Sequence, residues 1–227
     1  MKLACGVAAL LTVAWALLMY ALLSYPLPHN FHHHIDSPVL AIELASNQDE
    51  ATVVLQSNSA AIATLHLDTT LDLFFIPLYV AYLVLAARLA GARLAVILPV
   101  AIVVGLADYV EDYYIYQSLN LTTPHQSVPS LIKWALLRVA LAITGVALLR
   151  NSSVIYTTAA RKTLGAALLI AAALMLVAAG FGRVITFGYS PIALANIIFG
   201  LTILTNAIGL LRPYVSRLIA GTLPPVR

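Results

Sequence analysis

One cysteine stands in the whole chain, Cys5, so no intramolecular disulfide can form and thiol pairing says nothing about redox compartment. Charge is also scarce: only 9% of residues are Asp, Glu, Lys or Arg. No basic cluster suited to nucleic acid occurs, which excludes that class of partner. HExxH, CxxC and paired ExxH spacings are all missing, so no strong metal signature is present. What fills the chain instead is apolar, with 62% of its 227 residues hydrophobic. A soluble domain of this length cannot hide that much apolar surface. Several runs reach the ~20 residues that a bilayer crossing needs. The composition therefore predicts an all-α fold, a polytopic membrane helical bundle.

Six spans are predicted in a single membrane domain over residues 1–227: about 3–23, 69–87, 94–116, 131–149, 163–182 and 190–211. The first is longer than a signal-peptide core and lacks a clean small-x-small cleavage site, which favours a retained span or signal anchor. Residues 25–60 read as an extracytoplasmic loop with two short amphipathic helices. Ser37-Pro38 opens one, which carries Glu43, and Asn47 with Glu50 opens the other. Gly91 marks a tight turn, 117–130 a polar loop and 150–162 a short basic loop, and Arg212-Pro213 ends the last span. Gly105, Gly145, Gly165, Gly200 and Gly209 read as sites of close helix packing. Tyr109, Tyr113 and Tyr116 form a stripe that reads as an interfacial anchor.

Orientation follows from the basic residues. With both termini in the cytoplasm, Lys2, Arg88, Arg93, Arg150, Arg161, Lys162, Arg212, Arg217 and Arg227 are cytoplasmic, nine of the twelve Lys and Arg. Lys133, Arg138 and Arg183 are the others. All acids and histidines then fall in the outer half or the outer loops.

Against this background the stretch Ala107-Asp108-Tyr109-Val110-Glu111-Asp112 stands out. Asp108, Glu111 and Asp112 lie at i, i+3 and i+4 and share one helical face. A carboxylate inside a span costs roughly 2.5–3.5 kcal/mol at a helix centre, so Asp108 must face protein, water or a counter-charge. Depth can be counted from the cytoplasmic Arg of each span at about 1.5 Å per residue. Asp72 then lies about 24 Å up, Asp108 about 22 Å, Lys133 about 25 Å and Asn196 about 24 Å. Acids and a lysine thus share one layer in the outer half. Glu111, Asp112 and Asp68 lie slightly above it. The first two read foremost as solvated helix-end acids, and Asp68 as a solvated entrance.

A metal reading draws on the same donors: His66, Asp68, Asp72, Asp108, Glu111, Asp112 and His125. The run His32-His33-His34 cannot point one way on a regular element and reads as a solvated loop. No cofactor and no oligomeric state is assigned.

The segment from Pro38 to Lys133 resembles a family of uncharacterised bacterial multi-pass membrane proteins. The matching stretches are Pro38-Val39-Leu40-Ala41-Ile42-Glu43, Leu71-Asp72-Leu73-Phe74-Phe75-Ile76-Pro77-Leu78-Tyr79 and Ala107-Asp108-Tyr109-Val110-Glu111-Asp112, followed by Lys133. The family's third motif usually ends in Asn where this chain has Asp112. The resemblance implies a bacterial inner (plasma) membrane protein and groups Glu43, Asp72, Asp108, Glu111 and Lys133 as one set. It brings no known activity.

Three functions fit this set. One is a membrane-embedded enzyme acting on a lipid or other apolar substrate, with Asp72 or Asp108 as general acid or base, Lys133 as counter-ion and Glu43 near by. The second is a small transporter coupled to a proton or cation. The third is an accessory subunit whose polar layer only fixes the fold. The orientation is open to direct test with reporter fusions after Arg93, Asn120, Lys162 and the C-terminus. Only the Asn120 fusion is expected to report a periplasmic position. A cytoplasmic signal there reverses the topology.

Overall fold

The computed structural model describes residues 1–23, 59–118, 127–150, 158–180 and 191–220. They form six α-helices and, among the described residues, no strand: α1 Lys2–Leu23, α2 Ser59–Leu89, α3 Leu94–Ser118, α4 Ser127–Arg150, α5 Thr158–Gly180 and α6 Pro191–Ile219. Five contain stretches long and apolar enough to cross a membrane: Lys2–Leu22, Leu65–Leu89, Leu94–Gln117, Val128–Arg150 and Leu194–Ile219. The other helix, α5, has 23 residues, roughly 35 Å at 1.5 Å per residue. Each helix packs on its chain neighbours from α2 to α6, and α1 lies between α2 and α6, so the six close into a ring. Helix α2 also reaches α4 directly.

Several helices outrun their apolar spans. Helix α2 starts at Ser59, ten residues before the expected position 69. Its first turns hold Ala, Ile and Leu with neither Gly nor Pro. The hydroxyls of Thr69 and Thr70 donate back to the Leu65 and His66 carbonyls, so they join the helix instead of capping a new one. Helix α3 extends to Ser118 and α4 begins at Ser127, which shortens the expected loop at both ends. Pro129 falls in the first turn of α4, where a missing N–H costs no helical bond. Helix α5 starts at Thr158, so Arg161 and Lys162 are helical, not loop residues. Helix α6 runs through Pro213 to Ile219. A proline removes one bond from the ladder, but the residues beyond it here continue the helix. The two short helices expected in 25–60 lie outside the described residues.

The α2–α3 turn is a Schellman motif. Gly91 has φ 94°, its N–H donates to the Arg88 carbonyl at 3.1 Å, and the Ala92 N–H donates to the Ala87 carbonyl at 2.9 Å. Only glycine takes that φ without strain. The Arg88 guanidinium closes the turn by donating to the Ala92 carbonyl at 2.9 Å.

The core has two parts. The larger joins α2 to α6 through residues such as Ile76, Leu83, Ile97, Val104, Leu141 and Leu168. The smaller seals α1 to α2 and α6 through Cys5, Ala8, Ala9, Tyr82, Ile203 and Ala207. Within it the Asn206 amide donates to the Tyr82 hydroxyl at 2.7 Å. The outward faces carry Leu17, Phe74, Leu106, Leu201 and Ile208, all exposed, as a lipid-facing surface requires.

Glycine roles divide sharply. A Cβ on Gly145 would stand 2.9 Å from the Gly165 carbonyl oxygen, and one on Gly165 would stand 3.0 Å from that of Gly145. Helices α4 and α5 therefore cross backbone to backbone. Gly6, unremarked in the sequence, faces the side chains of Leu210 and Leu211, the nearest atom 2.9 Å from where a Cβ would stand. Gly200 and Gly209 have nothing within 4 Å, so the close-packing role expected of them is not found. Gly145→Ala should lower stability by about 1–3 kcal/mol through overpacking. Gly209→Ala should stay within about 1 kcal/mol of wild type. Thermal unfolding in detergent compares them, and equal losses would contradict the crossing.

Candidate functional site

The polar layer is built by the first half of α2, the last turns of α3 and the first turns of α4. On α3, the i, i+3, i+4 spacing places Asp108, Glu111 and Asp112 on the inward face, and all three are buried. On α4, Ser130 and Lys133 are three residues apart, one turn, and both are buried. On α2, Asp68, Asp72 and Tyr79 follow one another at helical spacing on the side facing α3.

Lys133 is the hub. Its Nζ lies 2.9 Å from Asp108 Oδ1 and also pairs with Glu111. The second oxygen of Asp108 accepts from the Tyr79 hydroxyl at 2.6 Å. The second oxygen of Glu111 accepts from Ser130 Oγ. The ammonium also lies 5.0 Å from the centre of the Trp134 ring. Asp72 is half-buried beside this group, within electrostatic reach of Asp108, Asp112, Asp68 and Lys133. Toward the end of α3, the His66 ring meets the Tyr116 ring edge-on at 5.2 Å.

The structure thus brings Asp72, Asp108, Glu111 and Lys133 together. It places Asp112 and Asp68 in the same cluster and corrects their surroundings. Glu111 is 0% exposed and Asp112 5%, so neither is a solvated helix-end acid. Asp68 is 5% exposed and so does not form a solvated entrance. The physical reason is that α2 continues upward as a helix and covers this part of α3. Asn196, counted to the same depth, is exposed on α6. Glu43, His125 and the run from His29 to His34 lie outside the described residues. Among the described residues, no three His, Cys, Asp or Glu side chains are grouped as metal ligands.

Three contributors escaped the sequence reading. Tyr79 was legible as the residue two turns below Asp72 on the same face, and Ser130 as the residue one turn before Lys133. Tyr109 was read only as an anchor, yet its hydroxyl donates to the Leu73 carbonyl at 3.1 Å. Comparison with protein-family models, curated proteins and solved structures gives no match, so the reading of the site rests on its own geometry.

Chemically, the described residues of the cluster include five carboxyl groups and the Lys133 ammonium, with a phenol and a hydroxyl as neutral donors. Lys133→Met leaves Asp108 and Glu111 buried without their counter-charge. It should destabilise the protein by about 3–5 kcal/mol. Adding Asp108→Asn and Glu111→Gln should recover much of that loss, because the uncompensated charges go with it. Denaturant unfolding in micelles reads both values. A triple variant no better than Lys133→Met would mean that the ion pairs are not what holds α3 to α4.

Proposed function

We propose that this is a multi-pass protein of the bacterial inner (plasma) membrane, with both termini cytoplasmic, that couples its work to proton exchange at an acidic site in its outer half. Asp72 is the exchanging group, and the protein acts as a small proton-coupled carrier. The observation that carries this is the crowding of like charge. Asp72 lies within electrostatic reach of Asp68, Asp108 and Asp112, beside an ammonium, Lys133, that Asp108 and Glu111 engage. Carboxyl groups this close, away from water, oppose one another's ionisation, which suits a site that takes up and releases a proton.

The hydrogen bonds distribute the roles. Lys133 is engaged by two carboxylates and is not free to act as a base. That weighs against a membrane-embedded enzyme that uses it on a lipid. Asp108 and Glu111 each have the ammonium on one oxygen and a neutral donor on the other. Asp72 faces Asp68, Asp108 and Asp112, while the ammonium is taken up by Asp108 and Glu111, so the exchanging proton is assigned to Asp72. The distribution of Lys and Arg supports the orientation, since nine of the twelve fall on one side when the six helices alternate.

Infrared difference spectroscopy on the purified protein tests this reading. Stepping the pH should reveal a carboxyl band that appears and disappears, and Asp72→Asn should remove it while folding at least as well as wild type. A band unchanged in Asp72→Asn would move the proton to another acid. No titrating band in wild type would end the proton reading.

A further inference from the structure

The two carbonyls that flank Asp72 each accept a hydrogen bond from a different neighbouring helix. Trp15 Nε1 of α1 donates to the Leu71 carbonyl at 3.0 Å. Tyr109 Oη of α3 donates to the Leu73 carbonyl at 3.1 Å. The second bond has a definite cause. Leu73 is four residues before Pro77, which lies inside α2 and has no N–H to give. The Leu73 carbonyl therefore lacks its helical donor, and in a membrane no water of the hydrocarbon layer can replace it. Tyr109 supplies what Pro77 lacks. The first bond adds a second donor to a carbonyl of the same turn, and Trp15 also packs on Phe74 with ring centres 5.8 Å apart. Tyr109 directly follows Asp108, which Lys133 and Tyr79 hold in place.

We propose that Trp15 and Tyr109 are positioning residues for Asp72. Together they clamp the α2 turn above Pro77 between α1 and α3, and so set how closely Asp72 approaches Asp108 and Lys133. Proline makes this necessary: with its ladder opened, the turn that carries Asp72 takes its position from other helices instead of from the rest of α2. The functional part rests on the proton reading of Asp72, while the clamp itself stands on the backbone bonds.

A double-mutant cycle between positions 77 and 109 tests the clamp. In wild type, Tyr109→Phe strands the Leu73 carbonyl and should lower the melting midpoint by about 2–4 °C. In Pro77→Ala the restored N–H serves that carbonyl, so the same change should have little effect. If Tyr109 were only an interfacial anchor, its hydroxyl would matter equally in both backgrounds, and that result overturns the clamp. The pH midpoint of the Asp72 carboxyl band is the second reading. It should move in Tyr109→Phe and in Trp15→Phe, and return toward wild type in Tyr109→Phe/Pro77→Ala. A coupled cycle with an unmoved midpoint overturns the positioning role. If wild type shows no titrating band, the proton reading fails by itself, and the clamp then stands or falls on the cycle alone.

Discussion

The ammonium of Lys133 sits between two carboxylates of one helix, and the placing of α3 against α4 depends on it. Removing such ions from water costs several kcal/mol each, and this is offset only where geometry is good and the remaining oxygens are bonded. Tyr79 and Ser130 meet that condition. Apolar contacts cannot set the register of helices in a bilayer by themselves, because lipid tails solvate a leucine as well as another helix does. A slide of α4 by one residue would move Lys133 about 1.5 Å along the axis and about 100° around it. Both ion pairs would then be lost together. The backbone contact between Gly145 and Gly165 fixes the other side of α4 by shape, independently of charge.

Helix α2 meets the opposite problem. It must present Asp68, Asp72 and Tyr79 to α3, yet Pro77 interrupts its ladder between the second and third of these. An unserved carbonyl in hydrocarbon costs several kcal/mol. The bond from Tyr109 answers that cost and has a geometric consequence: the upper part of α2 is tied to α3 at its backbone as well as by charge. Sidedness thus arises along one helix. Beyond Tyr79, α2 is held by apolar packing through Leu83 and Ala87, with the Tyr82 hydroxyl accepting from Asn206. From Tyr79 back to Asp68, polar groups face α3.

The sequence was most informative where apolar length and charge decide the outcome. Six apolar runs foretold six helices, because a bilayer crossing demands length before anything else. Counting from the arginine at one end of each span put Asp72, Asp108 and Lys133 at one depth, because a helix rises evenly. The same count failed for Asn196, since depth says nothing about which way a side chain faces. Helix ends were less legible. Thr69 and Thr70 looked like the start of a span, and only their bonds to the Leu65 and His66 carbonyls show them as interior residues. The glycines were indistinguishable by composition, and their roles separated only once the facing helix was known. Tyr109 read only as an interfacial anchor, because its bond to the Leu73 carbonyl is understood only by pairing it with a proline thirty-two residues away.

The number of acids exceeds what the ion pairs between α3 and α4 require. Holding α3 to α4 takes one base and the two carboxylates already paired with it. Asp72, Asp68 and Asp112 add like charge to a buried site, and like charges in such a place oppose folding. Their presence is intelligible if the site must change its charge. Proton exchange also needs two properties that conflict in one group: a fixed position and contact with a source of protons. On the proposed reading the cluster would separate them. Asp108 and Glu111 are sealed, each with the ammonium at one oxygen and a neutral donor at the other, so they hold the geometry. Asp72 is half-buried, and its position is set through its neighbours' carbonyls, which leaves its own carboxyl group free of that duty.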